Sequence, residues 1–254
     1  MSPVRRMRLD VLMTERGLAP TRAKAQALVM AGKVLVAGAR ADKPGTQVAP
    51  DADVRLAGEG PSFVSRGGEK LAGALRDFAP HGFEPRDKVA ADIGASTGGF
   101  TDCLLQHDAA RVYAIDVGFG LLHEKLRADP RVVVMERVNA RDLEPSSVGG
   151  GVDLVVVDAS FIGLGKLLEA IVRILRDGGE LVALIKPQFE AGKREVSKGR
   201  GVIRDEAVRS AAIETVLEQV RSAGFVILAD APCAIRGPKG NLEHFVYASK
   251  PARP

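Results

Sequence analysis

The nine residues DIGASTGGF, Asp92–Phe100, directly follow an apolar run at residues 89–91 and indicate the fold of most of the chain. An acid at the end of a strand, followed by glycines, lets the backbone turn sharply and lets a ligand approach the main chain closely. The glycines lie at Gly94, Gly98 and Gly99, which is not the Gly-x-Gly-x-x-Gly spacing of a dinucleotide fold. Asp92 would repel a phosphate, so the loop is better suited to a cationic group such as an amino-acid ammonium.

Six further apolar runs follow, and most of them alternate with helical stretches. They are RVYAID (111–116), RVVVME (131–136), VDLVVVDAS (152–160), ELVALIKP (180–187), FVILADAP (225–232) and HFVYASK (244–250). Strands that are apolar almost throughout indicate a parallel sheet covered on both faces. The last two runs follow a long helix near residues 205–223 and are joined by the turn-forming IRGPKGN, which predicts an antiparallel pair. The fold class is therefore α/β, with a mostly parallel sheet.

Acidic and amide residues after the second and third runs are candidates for cofactor binding. Asp116 ends the second run, where an acid usually holds the hydroxyls of a ribose. Together with the glycine loop, it favours S-adenosylmethionine over NAD, although a purely structural turn is the alternative. Asn139 and Asp142 follow the third run and could reach an adenine edge, but Asp142 could equally be a helix N-cap.

Asp158 and Lys186 end the fourth and fifth runs and are candidates for the chemistry. A strand-end acid facing a cofactor is a typical site residue. Burial of a lysine is costly without a partner and disfavours its charged form, which suits a base that deprotonates an alcohol. The alternative for Lys186 is an ammonium that extends from the strand end into solvent.

The basic charge is concentrated at the N-terminal end. The net charge is +4, and the first forty residues hold eight basic and two acidic side chains, whereas residues 61–254 hold 26 of each sign. A basic lobe suggests a polyanionic partner, and an ordinary solvated surface is the alternative. The Gly/Pro/Ser-rich stretch at residues 58–62 predicts a boundary between domains 1–60 and 61–254.

The N-terminal domain is predicted to be small and α+β. RLDVLMTERG (8–17) and PTRAKAQALVMAG (20–32) indicate two short helices, the second with an apolar face of Ala23, Ala27, Leu28 and Ala31. Short strands are expected at KVLVAG (33–38) and DVRLAG (53–58). A second basic segment, AGKREVSKGRGVIR (191–204), follows Lys186; it could clamp the phosphates of a nucleic acid or be a solvated loop.

Composition excludes several classes of protein. Only two cysteines occur, with no Cys/His cluster, which argues against a disulfide scaffold or a metal site and fits the reducing cytoplasm. The N-terminus has no apolar core of a secretory signal, and no run approaches the ~20 apolar residues that span a membrane.

Linked motifs resemble known families over nearly the whole chain. Thr21-Arg22 and GKVLV (32–36) are similar to the S4-type RNA-binding module, although its usual Asn-Gly is Ala37-Gly38 here. The remainder resembles the FtsJ-like ribose methyltransferases. The combination of FVSRGGEKL (63–71), DIGASTGGFTDCLL (92–105), VVVDASFI (155–162), LIKPQFEAGK (184–193) and GNLEHF (240–245) is similar to the TlyA family, also known as haemolysins.

The resemblance implies a Rossmann-like, S-adenosylmethionine-dependent methyltransferase domain that methylates ribose 2′-hydroxyls of ribosomal RNA, with cytidine in the 16S or 23S RNA as the expected target. It implies a catalytic tetrad of Lys70, Asp158, Lys186 and Glu243, and leaves open which lysine is the base. The implied cofactor residues are Asp92, Gly94, Ser96, Thr97, Gly98, Gly99, Phe100, Asp116, Val117, Asn139 and Asp142.

Ribosomal RNA and ribosomal subunits are the expected partners. The basic residues expected to contact RNA are Arg5, Arg6, Arg8, Arg22, Lys24, Lys33, Arg66, Lys193, Arg194, Lys198 and Arg200. Two other hypotheses remain: an RNA-binding ribosome factor whose methyltransferase fold is inactive, which the intact tetrad disfavours, and a membrane-lytic toxin, which the absence of a strongly amphipathic basic helix disfavours.

Overall fold

The computed structural model describes residues 6–56, 63–160, 162–191, 202–237 and 240–252. The chain divides into two compact units, Met1–Ser62 and Phe63–Pro254. The expected boundary at residues 60 and 61 falls outside the described residues.

The N-terminal unit combines two helices with short antiparallel strands, as its sequence predicts. The elements are β1 (Met7–Arg8), α1 (Leu9–Glu15), α2 (Arg22–Met30), β2 (Val34–Val36), β3 (Ala39–Arg40), β4 (Gln47–Val48) and β5 (Val54–Leu56). Strand β1 pairs with β4, and a three-stranded sheet has the order β3-β2-β5. Thr21 caps α2 by accepting a hydrogen bond from the amide of Lys24 (3.2 Å).

The predicted apolar face of α2 is wrong for its three alanines, whereas its fourth member, Leu28, is partly buried and packs against the core. Ala23, Ala27 and Ala31 are exposed, whereas Ala25 and Val29 are buried. These two residues are four positions apart, on one face of the helix, and belong to the same core cluster as residues of α1. Three alanines and a leucine at near-helical spacing suggested a face, but an alanine fits an exposed helical position as well as a buried one.

The larger unit is a helix-covered seven-stranded sheet. Its elements are α3 (Arg66–Phe78), β6 (Val89–Ile93), α4 (Gly99–Gln106), β7 (Arg111–Asp116), α5 (Glu124–Arg127), β8 (Val132–Glu136), β9 (Val152–Val157), α6 (Leu168–Ile174), β10 (Leu175–Ile185), α7 (Pro187–Glu190), α8 (Glu206–Ser222), β11 (Val226–Pro232) and β12 (His244–Ser249). Short 3₁₀ turns lie between some of these elements, at Ala79–His81, Ala140–Asp142, Pro145–Val148 and Leu164–Lys166.

The strand order is β8-β7-β6-β9-β10-β12-β11. Strands β6 to β10 are parallel to one another, and β12 pairs antiparallel with both β10 and β11. This confirms the expected mostly parallel sheet and the antiparallel final pair. One core cluster joins the sheet to α3 and α4, and a second joins it to α6 and α8. Successive strands are added on one side of β6 up to β8 and on its other side from β9, so the carboxyl ends of the parallel strands β6 and β9 lie together where such folds bind ligands.

Candidate active site

A cavity of about 700 Å³ opens at the carboxyl ends of β6, β9 and β10. It is lined by Ser65, Arg66, Gly67, Lys70, Asp92, Gly94, Ala95, Ser96, Thr97, Gly99, Phe100, Asp158, Ser160, Lys186, Gln188, Phe189, Arg236, Asn241 and Glu243. The volume lies in the range typical of sites for small ligands and cofactors. All four members of the expected tetrad and six of the expected cofactor residues are therefore brought to one place.

Lys186 and Asp158 form a close ion pair at the ends of neighbouring strands. The Nζ of Lys186 lies 2.6 Å from Oδ1 of Asp158, and it donates to the Asp158 carbonyl (3.2 Å) and to Oγ of Ser160 (2.9 Å). Lys186 is 6% exposed, so the alternative of a side chain extending into solvent is wrong. Pro187 follows at the first position of α7, where its fixed φ suits the start of a helix and limits the backbone beside Lys186.

Lys70 and Glu243 complete the tetrad from outside the parallel strands. The Nζ of Lys70, on α3, donates to Oε2 of Glu243 (2.7 Å), just before β12, and lies 3.9 Å from Oδ2 of Asp158. Both Lys70 and Glu243 are buried. The four groups thus form a continuous row, Glu243–Lys70–Asp158–Lys186, in which acids and bases alternate and their formal charges cancel. Each buried charge therefore has a partner of opposite sign.

Close packing between α3 and α4 places Lys70. A Cβ added to Gly99 would lie 2.3 Å from Oγ of Ser65, 2.7 Å from the amide nitrogen of Gly68 and 2.9 Å from Cα of Gly67. Glycines are therefore needed where the two helix N-termini approach each other. The N-terminus of α3 is also held by Asp102 of α4, which accepts a hydrogen bond from the amide of Val64 (2.8 Å).

Asp92 is a fully buried acid in the part of the cavity lined by the glycine loop, on the other side from the tetrad. Its Oδ2 accepts hydrogen bonds from the amide (2.9 Å) and the hydroxyl (2.7 Å) of Thr101. Its Oδ1 has no hydrogen-bond partner among the described residues. Burial raises the pKa of Asp92 to about 7, with smaller contributions from the negative charges of Asp158 and Asp116. The buried, unpartnered Oδ1 of Asp92 is suited to a ligand that donates a hydrogen bond or carries a positive charge.

Asp116 organises the loop above β6. Its Oδ2 accepts from the amide of Ser96 (2.8 Å) and its Oδ1 accepts from the amide of Gly118 (2.7 Å). Each oxygen retains further acceptor capacity, so the carboxylate can hold the loop and still meet hydroxyls. Val117, the next residue, is 72% exposed and, like Asp116, does not line the cavity.

The remaining expected cofactor residues lie outside the cavity lining. Gly98 is the N-cap of α4, with φ +97°, and a Cβ there would meet Leu122 and Leu126. Asp142 is exposed at the end of a 3₁₀ turn and does not cap a helix, so the N-cap alternative for it is wrong. Asn139 is the cap, because its side chain accepts from the amide of Arg141.

Several residues that line the cavity were not predicted from the sequence, among them Ser65, Ser160, Gln188, Arg236 and Asn241. Ser160 and Gln188 each stand two residues beyond a tetrad member, which is the signal that could have found them. Gln188 donates to Oε1 of Glu243 (3.3 Å). Arg236 belongs to the turn before β12, and its carbonyl accepts a hydrogen bond from Arg66 (3.1 Å).

The residues expected to bind RNA fall into three groups. Arg66 is exposed at the cavity. In the N-terminal unit, Arg6, Arg22, Lys24 and Lys33 are exposed and Arg8 is half-buried. Arg5, Lys193, Arg194, Lys198 and Arg200 lie outside the described residues. Over the described part of the chain, no helix is long and apolar enough to cross a membrane.

Comparison with known proteins shows the family of the chain. Residues 63–250 match the model of the FtsJ-like methyltransferases, and residues 7–54 match that of the S4 domain. The chain is 43% identical, over 96% of its length and 90% of the relative's, to the 16S/23S rRNA (cytidine-2′-O)-methyltransferase TlyA of Mycobacterium tuberculosis. It is 39% identical to hemolysin A of Brachyspira hyodysenteriae, over 95% and 99% of the two chains.

A solved structure from Streptococcus thermophilus, described as a hemolysin, is 41% identical, with a TM-score of 0.75 over 99% of this chain and 90% of that chain. The family match covers well over half of the chain, and the expected mostly parallel sheet with its antiparallel final pair accompanies it. The chain therefore belongs to the TlyA family of FtsJ-like methyltransferases and carries an S4 domain at its N-terminal end.

Proposed function

We propose that this methyltransferase transfers a methyl group from S-adenosylmethionine to the 2′-hydroxyl of a ribose in ribosomal RNA, and that cytidine is its target. The observation that carries the proposal is the row Glu243–Lys70–Asp158–Lys186 on the wall of the cavity, in which every member except Asp158 is buried. A ribose hydroxyl is a weak nucleophile until it loses its proton, so this reaction needs a base held at a fixed position. The named M. tuberculosis relative has the same substrate chemistry.

The cofactor half of the cavity fits S-adenosylmethionine. The unpartnered Oδ1 of Asp92 would accept from the ammonium of the amino-acid moiety, beside the open backbone of Gly94. Asp116 would accept from the ribose hydroxyls. When bound, the cofactor supplies a methyl group that its sulfonium already activates.

Within the tetrad, Lys186 acts as the general base. Its neutral amine accepts the proton of the 2′-hydroxyl, and the resulting ammonium has Asp158 at 2.6 Å to stabilise its charge. The hydroxyl of Ser160 can donate to the neutral amine or accept from the ammonium, so it accommodates both states. Lys70, held by Glu243, supplies a fixed positive charge on the other side of Asp158.

The N-terminal unit anchors the RNA. Its exposed basic side chains would contact phosphates, which give affinity and register but carry no base sequence. An enzyme that modifies ribosomal RNA meets its substrate in the cytoplasm, and we place this enzyme there.

The proposal is tested by methyl transfer from labelled S-adenosylmethionine to isolated 30S and 50S subunits, followed by mapping of the labelled nucleotide. The expected product is a 2′-O-methylcytidine, and Asp158→Asn should abolish its formation. Asp153→Asn is the matched control, because Asp153 lies on β9, the strand that Asp158 follows, and pairs with Arg176 away from the cavity. Absence of label from both subunits, or label on a base instead of a ribose, would contradict the proposal.

A further inference from the structure

One acid in the N-terminal unit is buried next to basic side chains. Asp10, in the first turn of α1, has no exposed surface. Among the described residues of this unit, no other charged side chain is classed as buried. A buried carboxylate is retained in a folded protein when donors satisfy its oxygens.

Four hydrogen bonds from three side chains converge on Asp10. Arg8 donates through Nε to Oδ1 and through Nη2 to Oδ2, both at 3.0 Å, which is the two-pronged geometry of a strong arginine–carboxylate pair. Arg22 donates through Nε to Oδ2 (3.0 Å), and Gln26 donates through Nε2 to the same oxygen (2.8 Å). The acid therefore links β1 and α1 to α2.

These contacts keep Asp10 ionised. The hydrogen bonds from Arg8 have the largest effect and, with those from Gln26 and Arg22, hold the pKa of Asp10 well below its usual range, although burial acts in the opposite direction. The ion pairs are consequently present at every pH at which the enzyme would meet a ribosome.

Each arginine still has donors to offer. Arg8 uses two of its five N–H groups on Asp10 and Arg22 uses one, while their side chains remain 42% and 54% exposed. Arg8 is further confined by the turn before β4, because a Cβ on Gly45 would lie 2.9 Å from its Nη1. Both guanidinium groups are therefore fixed at their inner edge and open to solvent at their outer edge.

We infer that Asp10 is a positioning residue for RNA binding, which holds the guanidinium groups of Arg8 and Arg22 ready to donate to phosphates. The inference rests on the proposed function, since it presumes an RNA substrate. Ordering a long side chain costs free energy at the moment of binding, and the protein has already ordered these two. Loss of this preorganisation for two arginines should weaken binding by about 5- to 100-fold.

Charge alone predicts the opposite result. Removing an acid from a basic surface makes that surface more positive, so long-range attraction would strengthen RNA binding. A substitution that neutralises Asp10 therefore distinguishes positioning from net charge by the sign of the change.

The test compares full-length Asp10→Asn with the parent for Kd on 16S and 23S rRNA at several salt concentrations, and for KM and kcat of methyl transfer to ribosomal subunits. Positioning predicts that Kd and KM rise by about 10-fold with a shallower salt dependence of Kd, while kcat and the affinity for S-adenosylmethionine stay unchanged. Asp53→Asn is the matched control, because it removes the same charge from an exposed pair with Arg55 in the same unit. Unchanged or tighter RNA binding by Asp10→Asn overturns the inference.

If proteolysis shows that Asp10→Asn unfolds the N-terminal unit, Arg8→Lys and Arg22→Lys decide the question. Both keep the positive charge and the buried acid but lack the Nε–H that contacts Asp10. Each should raise Kd severalfold, and no change in either variant refutes positioning. A parent enzyme that methylates no ribosomal RNA would instead remove the proposed function, whatever Asp10 does.

Discussion

Lys186→Arg tests whether the tetrad performs base catalysis or only orients charges. Arginine retains a positive charge beside Asp158 but cannot give up its proton near neutral pH. If Lys186 is the base, Lys186→Arg should lose about 10²- to 10⁴-fold in the rate of methyl transfer, nearly as much as Lys186→Ala. If Lys186 only orients the substrate, arginine should retain much of the activity.

The structure also predicts a limited effect on stability. Lys186→Ala removes the partner 2.6 Å from Asp158, but Lys70 remains at 3.9 Å and the Asp158 side chain is 20% exposed. Breaking a fully buried pair costs about 3–5 kcal/mol, so the loss here should be smaller, about 1–3 kcal/mol. The variant should therefore remain folded, and a lost rate can be assigned to chemistry.

The assay is single-turnover methyl transfer to ribosomal subunits across a range of pH, with cofactor affinity measured by calorimetry. Lys88→Arg is the matched control, because Lys88 forms a 2.7 Å ion pair with Glu180 in the same unit away from the cavity. It should retain the parent rate. A Lys186→Arg enzyme that also works at close to the parent rate would refute the general-base assignment while leaving the methyltransferase assignment intact.

Three further predictions concern the cofactor half of the site and its support. Asp116→Ala should weaken S-adenosylmethionine binding by about 2–4 kcal/mol in calorimetry, because it removes both a ribose acceptor and the anchor of the Ser96 amide. Gly99→Ala should lower stability by about 1–3 kcal/mol in denaturant unfolding and also reduce methyl transfer, since the added Cβ would push α3 away from α4. The pKa of Asp92, raised to about 7, lies above the ~3.9 of an exposed aspartate, so the folded state binds an extra proton between these values. The resulting stabilisation of the folded state is complete below about pH 4 and is lost as the pH rises to 7. In thermal unfolding, the parent should therefore lose stability over this range relative to Asp92→Asn. Parallel curves of Tm against pH for the two proteins would contradict the raised pKa.

Sequence reasoning succeeded where local pattern determines position. Runs such as residues 152–157 are too apolar for a strand with one solvent-exposed face. They therefore predict a sheet that is covered on both faces. Asp158 and Lys186 end two strands of that kind, and parallel strands end at one edge of a sheet. Their placement at the same edge of the sheet could therefore be predicted, whereas their contact depends on β9 and β10 being neighbours.

The rest of the site depends on long-range packing that no local pattern specifies. Lys70 and Glu243 are 173 residues apart in sequence, and each has the ordinary surroundings of a surface charge. Only the resemblance to the TlyA family identified them. Strands of two residues, such as β3 and β4, are too short to show a period, so the antiparallel pairs in the N-terminal unit were only partly predictable.

The four tetrad residues come from different parts of the fold. Asp158 and Lys186 come from the central parallel strands, whereas Lys70 comes from a helix that precedes the first strand, and Glu243 lies just before the last. The Lys70–Glu243 pair thus joins the two ends of the larger unit above a sheet whose strand pairing does not involve either residue. The sheet provides half of the row, and docking of α3 on α4 together with addition of β12 provides the other half. A partly folded chain in which only the parallel strands had formed would contain the glycine loop and the Asp158–Lys186 pair, but it would lack the fixed charge of Lys70. Under the proposed mechanism, methyl transfer therefore requires the complete fold of this unit.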